Sequence, residues 1–179
     1  MKLSRTTLVA VLGVLVSACT TTPSQPVVER LDGNTATTLT ALRKPVELVA
    51  ETLHNAGGDP FAYIGPFETN RSGTRAQYLW VSGPSVENAK VEPTLLCDGQ
   101  ALTLTSSDSD MSHLGLSKPP YEQPAPWSLQ WYYTLTPETL KCLADAQRVT
   151  LETKADNGKS DQFSADAKAL AALKEFRAH

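Results

Sequence analysis

Asp98-Gly99 stands between two short apolar runs, residues 94–97 (TLLC) and 100–104 (QALTL). The tightest hairpin turn needs a positive φ at both central positions, which Asp and Gly tolerate, so the dipeptide commits this stretch to an antiparallel pair. The same grammar recurs along the chain. Residues 61–67 (FAYIGPF) and 75–82 (RAQYLWVS) read as strands joined by the turn-rich Asn70-Arg71-Ser72-Gly73. In the second of them Ala76, Tyr78, Trp80 and Ser82 share one face and Gln77, Leu79 and Val81 the other, which suits a central strand. Residues 127–135 (WSLQWYYTL) and 148–154 (RVTLETK) alternate as strands, and Asp156-Asn157-Gly158 turns the latter into residues 160–163.

Between these runs, residues 118–127 (KPPYEQPAPW) hold four prolines in ten residues, so neither a helix nor a ladder strand passes through them. An extended, partly polyproline II path is expected there, and residues 105–113 (TSSDSDMSH) read as a polar loop. Thr136-Pro137-Glu138 is a helix start, with a capping hydroxyl, a proline suited to the first turn and an acid at the positive end of the dipole. Residues 166–179 carry Ala169, Leu170, Leu173 and Phe176 at helical spacing. Residues 35–42 read as a strand from their Thr enrichment, whereas 46–54 are open between a strand and a helix beginning at Pro45. About eight or nine short strands and two short helices result, with hairpins outnumbering any β-α-β alternation. The expected class is mainly β, with α+β as the variant: an antiparallel β-sandwich or a strongly bent sheet, with two short helices in the C-terminal part.

The first nineteen residues, MKLSRTTLVAVLGVLVSAC, lie outside this pattern. Lys2 and Arg5 precede an apolar run over residues 8–16, then the small Ser17 and Ala18, then Cys19. The run is far below the ~20 residues of a membrane-spanning helix and has the layout of a secretory leader. Val16-Ser17-Ala18-Cys19 resembles the lipobox of bacterial lipoproteins. That resemblance implies cleavage after residue 18, a diacylglycerol on the Cys19 sulfur and a further acyl chain, such as palmitate, on the new amino terminus. Several chains anchor stably where one holds marginally, at ~0.8 kcal/mol per buried methylene. The rival reading is an ordinary leader with Cys19 as a bystander thiol. Thr20, rather than Asp, follows the cysteine; under the enteric sorting rule this implies the periplasmic side of the outer membrane rather than the inner membrane. Residues 19–27, rich in Thr, Ser and Pro, form the expected tether, and residues 28–179 the single globular domain.

Without residues 1–18 the chain has fourteen basic and nineteen acidic residues, a net charge of −5 with His neutral. A mildly acidic domain argues against nucleic acid as a partner and against adhesion to anionic lipid, so membrane attachment falls to Cys19. The remaining cysteines, Cys97 and Cys142, form an even pair, and an oxidising compartment favours a disulfide between them over two independent buried thiols.

Catalytic signals are sparse. No G-x-S-x-G occurs, and a pairing of Ser72 with His113 rests on residue types alone. Asp108 and Asp110 form a D-x-D without the glycine and distant Glu of a calcium loop. No metal and no cofactor is expected. Surface candidates are Tyr121 and Trp127, which bracket most of the proline segment and make a stiff platform for a sugar or peptide unless they simply close one end of the sheet. Arg71 offers a guanidinium fork from its turn unless it caps neighbouring carbonyls. The domain is also similar to uncharacterised periplasmic lipoprotein domains of Gram-negative bacteria at Leu31-Asp32-Gly33, residues 73–80, Cys97-Asp98-Gly99 and residues 133–136; that similarity implies no activity. The expected role is a non-enzymatic accessory or interaction protein of the envelope with a protein partner. The alternative is a glycan- or peptide-binding or inhibitor module, and third an unrecognised hydrolase.

Overall fold

The computed structural model describes residues 26–53, 60–84, 92–107, 109–154 and 160–179. The leader, Cys19, most of the tether, Asp108 and the Asp156-Asn157-Gly158 turn lie outside them. Eleven strands and two helices follow in chain order: β1 (Val27–Asp32), β2 (Thr37–Leu42), β3 (Val46–Thr52), β4 (Phe61–Arg71), β5 (Thr74–Gly83), β6 (Thr94–Cys97), β7 (Gln100–Ala101), β8 (Thr105–Ser106), β9 (Leu129–Thr134), α1 (Pro137–Asp145), β10 (Val149–Lys154), β11 (Ser160–Ala165) and α2 (Ala167–Ala178).

All strands belong to one antiparallel sheet ordered β7-β6-β10-β11-β3-β4-β5-β9-β8, with β2 branching from β4 and β1 pairing β2. The bent-sheet expectation is therefore the one realised, in place of a two-sheet sandwich. The two ends of the strand order, β7 and β8, are joined by residues 102–104 alone. Four residue steps reach at most about 14 Å, so the sheet must curl until its ends nearly meet. A contact across the interior agrees: a Cβ placed on Gly83 of β5 would lie 3.8 Å from Thr153 Cγ2 of β10, four strands away. The expected strand 100–104 and polar loop 105–113 are corrected at this point, because the chain leaves the ladder after Leu102, whose N–H still donates to Leu95 O, and rejoins the opposite end at Thr105.

The curl gives the sheet a concave and a convex face. Directly opposed residues share a face, so Leu95, Leu151 and Phe163 stack side by side on the concave face, with Leu48, Ile64, Leu79 and Val81 beyond them, all buried. Both helices cover this side with Leu140, Leu143, Leu173 and Phe176. Thr136 caps α1 by accepting from Thr139 N, and Asp166 caps α2 by accepting from Ala169 N. Cys97 at the end of β6 is bonded to Cys142 in α1, 45 residues apart, which staples helix to sheet.

Asp98 (φ 49°) and Gly99 (φ 81°) make the two-residue turn between β6 and β7, and Ser72 (φ 52°) and Gly73 (φ 88°) that between β4 and β5. Of the stretch 46–54, Val46–Thr52 form strand β3. Val46 and Leu48 point inward while Glu47 and Val49 are exposed, and Pro45 sits at the corner between β2 and β3 rather than in a helix.

Candidate functional site

The convex face owes its shape to one proline. β4 pairs β5 along its length, but on its other side it pairs β3 over residues 61–64 and β2 over residues 67–70. The break falls at Gly65-Pro66. The register predicts a bond from Leu42 N to Pro66 O and a return bond that Pro66, lacking an N–H, does not make. Tyr121 fills the gap. Its hydroxyl accepts from Leu42 N at 3.2 Å and donates to Pro66 O at 2.6 Å, relaying the missing rung. Its ring lies over Gly65, where a Cβ would come within 2.2 Å of Tyr121 Cε2, and beside Trp80, with centroids 5.2 Å apart. Burial pushes the Tyr121 hydroxyl well above the usual phenol range.

Tyr121 thus belongs to the buried frame, and the platform pairing it with Trp127 is corrected: Tyr121 is 5% exposed and Trp127 is 64% exposed. Arg71 stands exposed at the β4–β5 hairpin, away from both. Asp110 of the D-x-D accepts from Ser112 N and Oγ and so closes a local turn. Among the described residues no three His, Cys, Asp or Glu side chains gather as a metal would require, and no helix is long and apolar enough to cross a membrane.

A groove of about 650 Å³ follows the proline segment from the β1–β2 hairpin to Gln130 of β9. Arg30, Leu31, Lys118, Pro119, Gln123 and Gln130 are among the residues that line it. Three of its polar side chains, Arg30, Gln130 and Gln123, have one end fixed. Arg30 Nη2 donates to Pro120 O at 2.6 Å, tying the segment to β1. Gln130 Oε1 accepts from Trp80 Nε1 at 2.9 Å and from Tyr132 Oη at 3.3 Å, which turns its amide nitrogen outward. Gln123 Nε2 donates to Ser128 O at 2.8 Å and Pro126 O at 3.3 Å, bracing the turn that carries Trp127. Burial pushes the Tyr132 hydroxyl up to about 12.

Asp32 locks the hairpin to the proline segment. Its carboxylate accepts from Ser117 N (2.6 Å), Ser117 Oγ (2.8 Å), Asn34 N (3.0 Å) and Thr35 N (3.4 Å). These donors, Ser117 N foremost, hold it down at about 2. With its oxygens engaged, it answers no cation in the groove. Arg30 and Lys118 form no ion pair among the described residues. None of Arg30, Gln130 or Asp32 is among the sequence candidates. The one legible trace was the Leu31-Asp32-Gly33 turn, whose partner Ser117 lies 85 residues away.

Comparison with protein-family models, with curated proteins and with solved structures finds no match to this chain.

Proposed function

We propose that this chain is a lipid-anchored lipoprotein on the periplasmic side of the bacterial outer membrane, acting by binding rather than catalysis as an accessory subunit of an envelope assembly. The leader and Cys19 support the anchor. The observation that carries the binding half is the groove along the proline segment, where Arg30 and Gln130 are held by structural bonds at one end and offered at the other. Such preorganisation reduces the ordering cost of association. Attachment at Cys19 keeps that surface near the bilayer, because seven residue steps from Cys19 to Pro26 reach at most about 25 Å.

The test is a crosslinked pull-down from detergent-solubilised envelopes, comparing the wild type with Cys19→Ala. Recovery of a protein partner with Cys19 intact and its loss in the variant supports a tethered accessory subunit. Recovery of no partner with either form overturns that reading in favour of a glycan or other small ligand, for which the exposed and braced Trp127 is the natural stacking surface.

A further inference from the structure

Among the described residues β1 is bonded on one side only, to β2. Its register shows what the other side offers. Arg43 N donates to Pro26 O, so the hydrogen-bonded pairs with β2 are Val28–Ala41, Arg30–Leu39 and Asp32–Thr37. The N–H and C=O groups of Val27, Glu29 and Leu31 therefore point outward, without a backbone partner among the described residues. No proline or register shift blunts this rim, and Leu31 is 70% exposed on it. A row of alternate unpaired amides is a template for another extended backbone.

Each face of the strand has a hollow beside it. On the Arg30 face lies the groove already described, where the cations of Arg30 and Lys118 outnumber the one carboxylate among the described residues not engaged by structural bonds, Glu122, since the oxygens of Asp32 are taken up. On the opposite face Glu29 lines a smaller hollow of about 170 Å³ together with Glu68, Arg75, Arg177 and His179; the two arginines there are already paired, Arg75 with Glu68 and Arg177 with Asp145. The Glu29 carboxylate has only the long bond from Thr40 Oγ1, at 3.4 Å, and no cation paired with it among the described residues. Successive side chains of an added strand point to opposite faces, so they would enter these hollows in turn.

From this juxtaposition we infer that β1 takes an extended peptide segment of a partner protein as an additional strand, selected by neighbouring acidic and basic residues. The acidic side chain meets Arg30 and Lys118, and the basic one meets Glu29. Main-chain bonds to Glu29 and Leu31 supply the attachment, and the two hollows supply the choice of sequence. The inference deepens the binding role proposed above and rests on it for the partner's location, but not for the strand addition itself.

The probe is a capped octapeptide of strand-forming residues with Glu-Lys at its centre, alongside versions with Glu-Glu, Lys-Lys and alternating prolines, and a chitooligosaccharide. The protein is the full chain in detergent micelles, followed by amide exchange and by calorimetry. The expected result is slowed exchange at Glu29 and Leu31, with the Glu-Lys peptide bound about tenfold more tightly than either like-charged version and no binding of the proline version. Leu31→Pro removes one outward N–H without touching the β2 ladder. It should weaken binding at least about tenfold while the melting temperature stays within a few degrees. Glu29→Lys should move the preference to the Glu-Glu peptide, a gain that misfolding does not produce.

Protection elsewhere, equal binding of all charged versions, indifference to Leu31→Pro in a folded variant, or binding of the saccharide alone would each overturn the inference. Peptide binding by a chain that captures no envelope partner would leave the strand addition standing and remove the envelope role. A captured partner that leaves Glu29 and Leu31 unprotected would do the reverse.

Discussion

Replacing Tyr121 by Phe removes one oxygen and keeps the ring, so it isolates the relay between β2 and β4. In the native protein that oxygen accepts from Leu42 N and donates to Pro66 O. Leu42 is 3% exposed, and the Tyr121 ring that separates the two strands remains in the variant. Both backbone groups then lose their partner inside the protein. Leaving a buried donor or acceptor unsatisfied costs about 1–3 kcal/mol; two such groups, partly relieved by relaxation, place the loss at about 3 kcal/mol. For a domain of this size that is a fall of about 6–12 °C in Tm. Ring packing on Gly65 and Trp80 is conserved, so almost none of this loss is hydrophobic. Urea unfolding of the oxidised chain measures it as a fall in midpoint at constant m. Gly65→Ala approaches the same contact from the other side, since its Cβ meets the Tyr121 ring at 2.2 Å, and it should cost at least as much. A Tyr121→Phe variant within about 0.5 kcal/mol of wild type, the range of surface substitutions, would refute the relay and return Tyr121 to an ordinary packing role.

Further outcomes follow from the same geometry. Cys97→Ala with Cys142→Ala opens a closure spanning 45 residues; the chain-entropy relation gives a loss of about 4 kcal/mol, read by urea unfolding, and thiol titration of the unfolded native chain without reductant should find neither cysteine free. The Asp32 carboxylate, held at about 2 by its donors, contributes stability that is present above its ordinary value of 3.8 and lost as pH falls toward 2. Asp32→Asn should therefore flatten that acid limb in melting curves taken from pH 5 to 2, and an unchanged limb would refute the assignment. Tyr132 works in the opposite direction. Its hydroxyl is pushed from 10.0 up to about 12, so its contribution is complete below pH 10 and is lost as pH rises toward 12. Tyr132→Phe should weaken the alkaline loss of stability, and ultraviolet titration should show a phenol ionising late in the native chain and normally in urea.

Local chemistry was readable in the sequence and long-range closure was not. The Asp98-Gly99 and Ser72-Gly73 turns, the Thr136 cap and the C-terminal helix depend on neighbours a few residues apart, and each took the expected form. The bond between Cys97 and Cys142 follows from there being no other pair once Cys19 is set aside. The curl depends on residues 102–104 carrying the chain between opposite ends of the strand order, and no local period reports that. For Tyr121 the proline-rich surroundings leave open a surface platform or the closing of one end of the sheet, because its place is fixed by Gly65 and Pro66 more than fifty residues earlier. A signal was available: a Gly-Pro pair inside an apolar strand marks a ladder that must break and be repaired by something from outside it. The groove has the same character, since Asp32 and Ser117 become partners only after β1 and the proline segment are brought together.

An open strand edge is a hazard that proteins usually blunt, and how β1 is protected bears on what it does. The concave side carries Leu48, Ile64, Leu151 and Phe163, both helices and the disulfide, so the frame does not depend on what happens at the outermost strand. β1 is fixed at its ends instead, by Arg43 N on Pro26 O and by the four donors on Asp32, with Arg30 tied to the proline segment between them. A strand held this way stays straight and its rim stays regular. Charges of opposite sign at Glu29 and Arg30, facing opposite sides, discourage self-pairing: about a centre at Glu29 or at Arg30, two copies would bring like charges together. A partner strand with a complementary pair faces no such penalty. The arrangement that limits aggregation is then the one that selects the ligand, and a single substitution should disturb both. Glu29→Lys should shift the peptide preference and, by leaving the strand with two cations, lower self-association further at low salt. Light scattering of the variant and wild type at low and high ionic strength measures the second effect. Equal scattering at low salt alongside a shifted peptide preference would show that the two roles are separate.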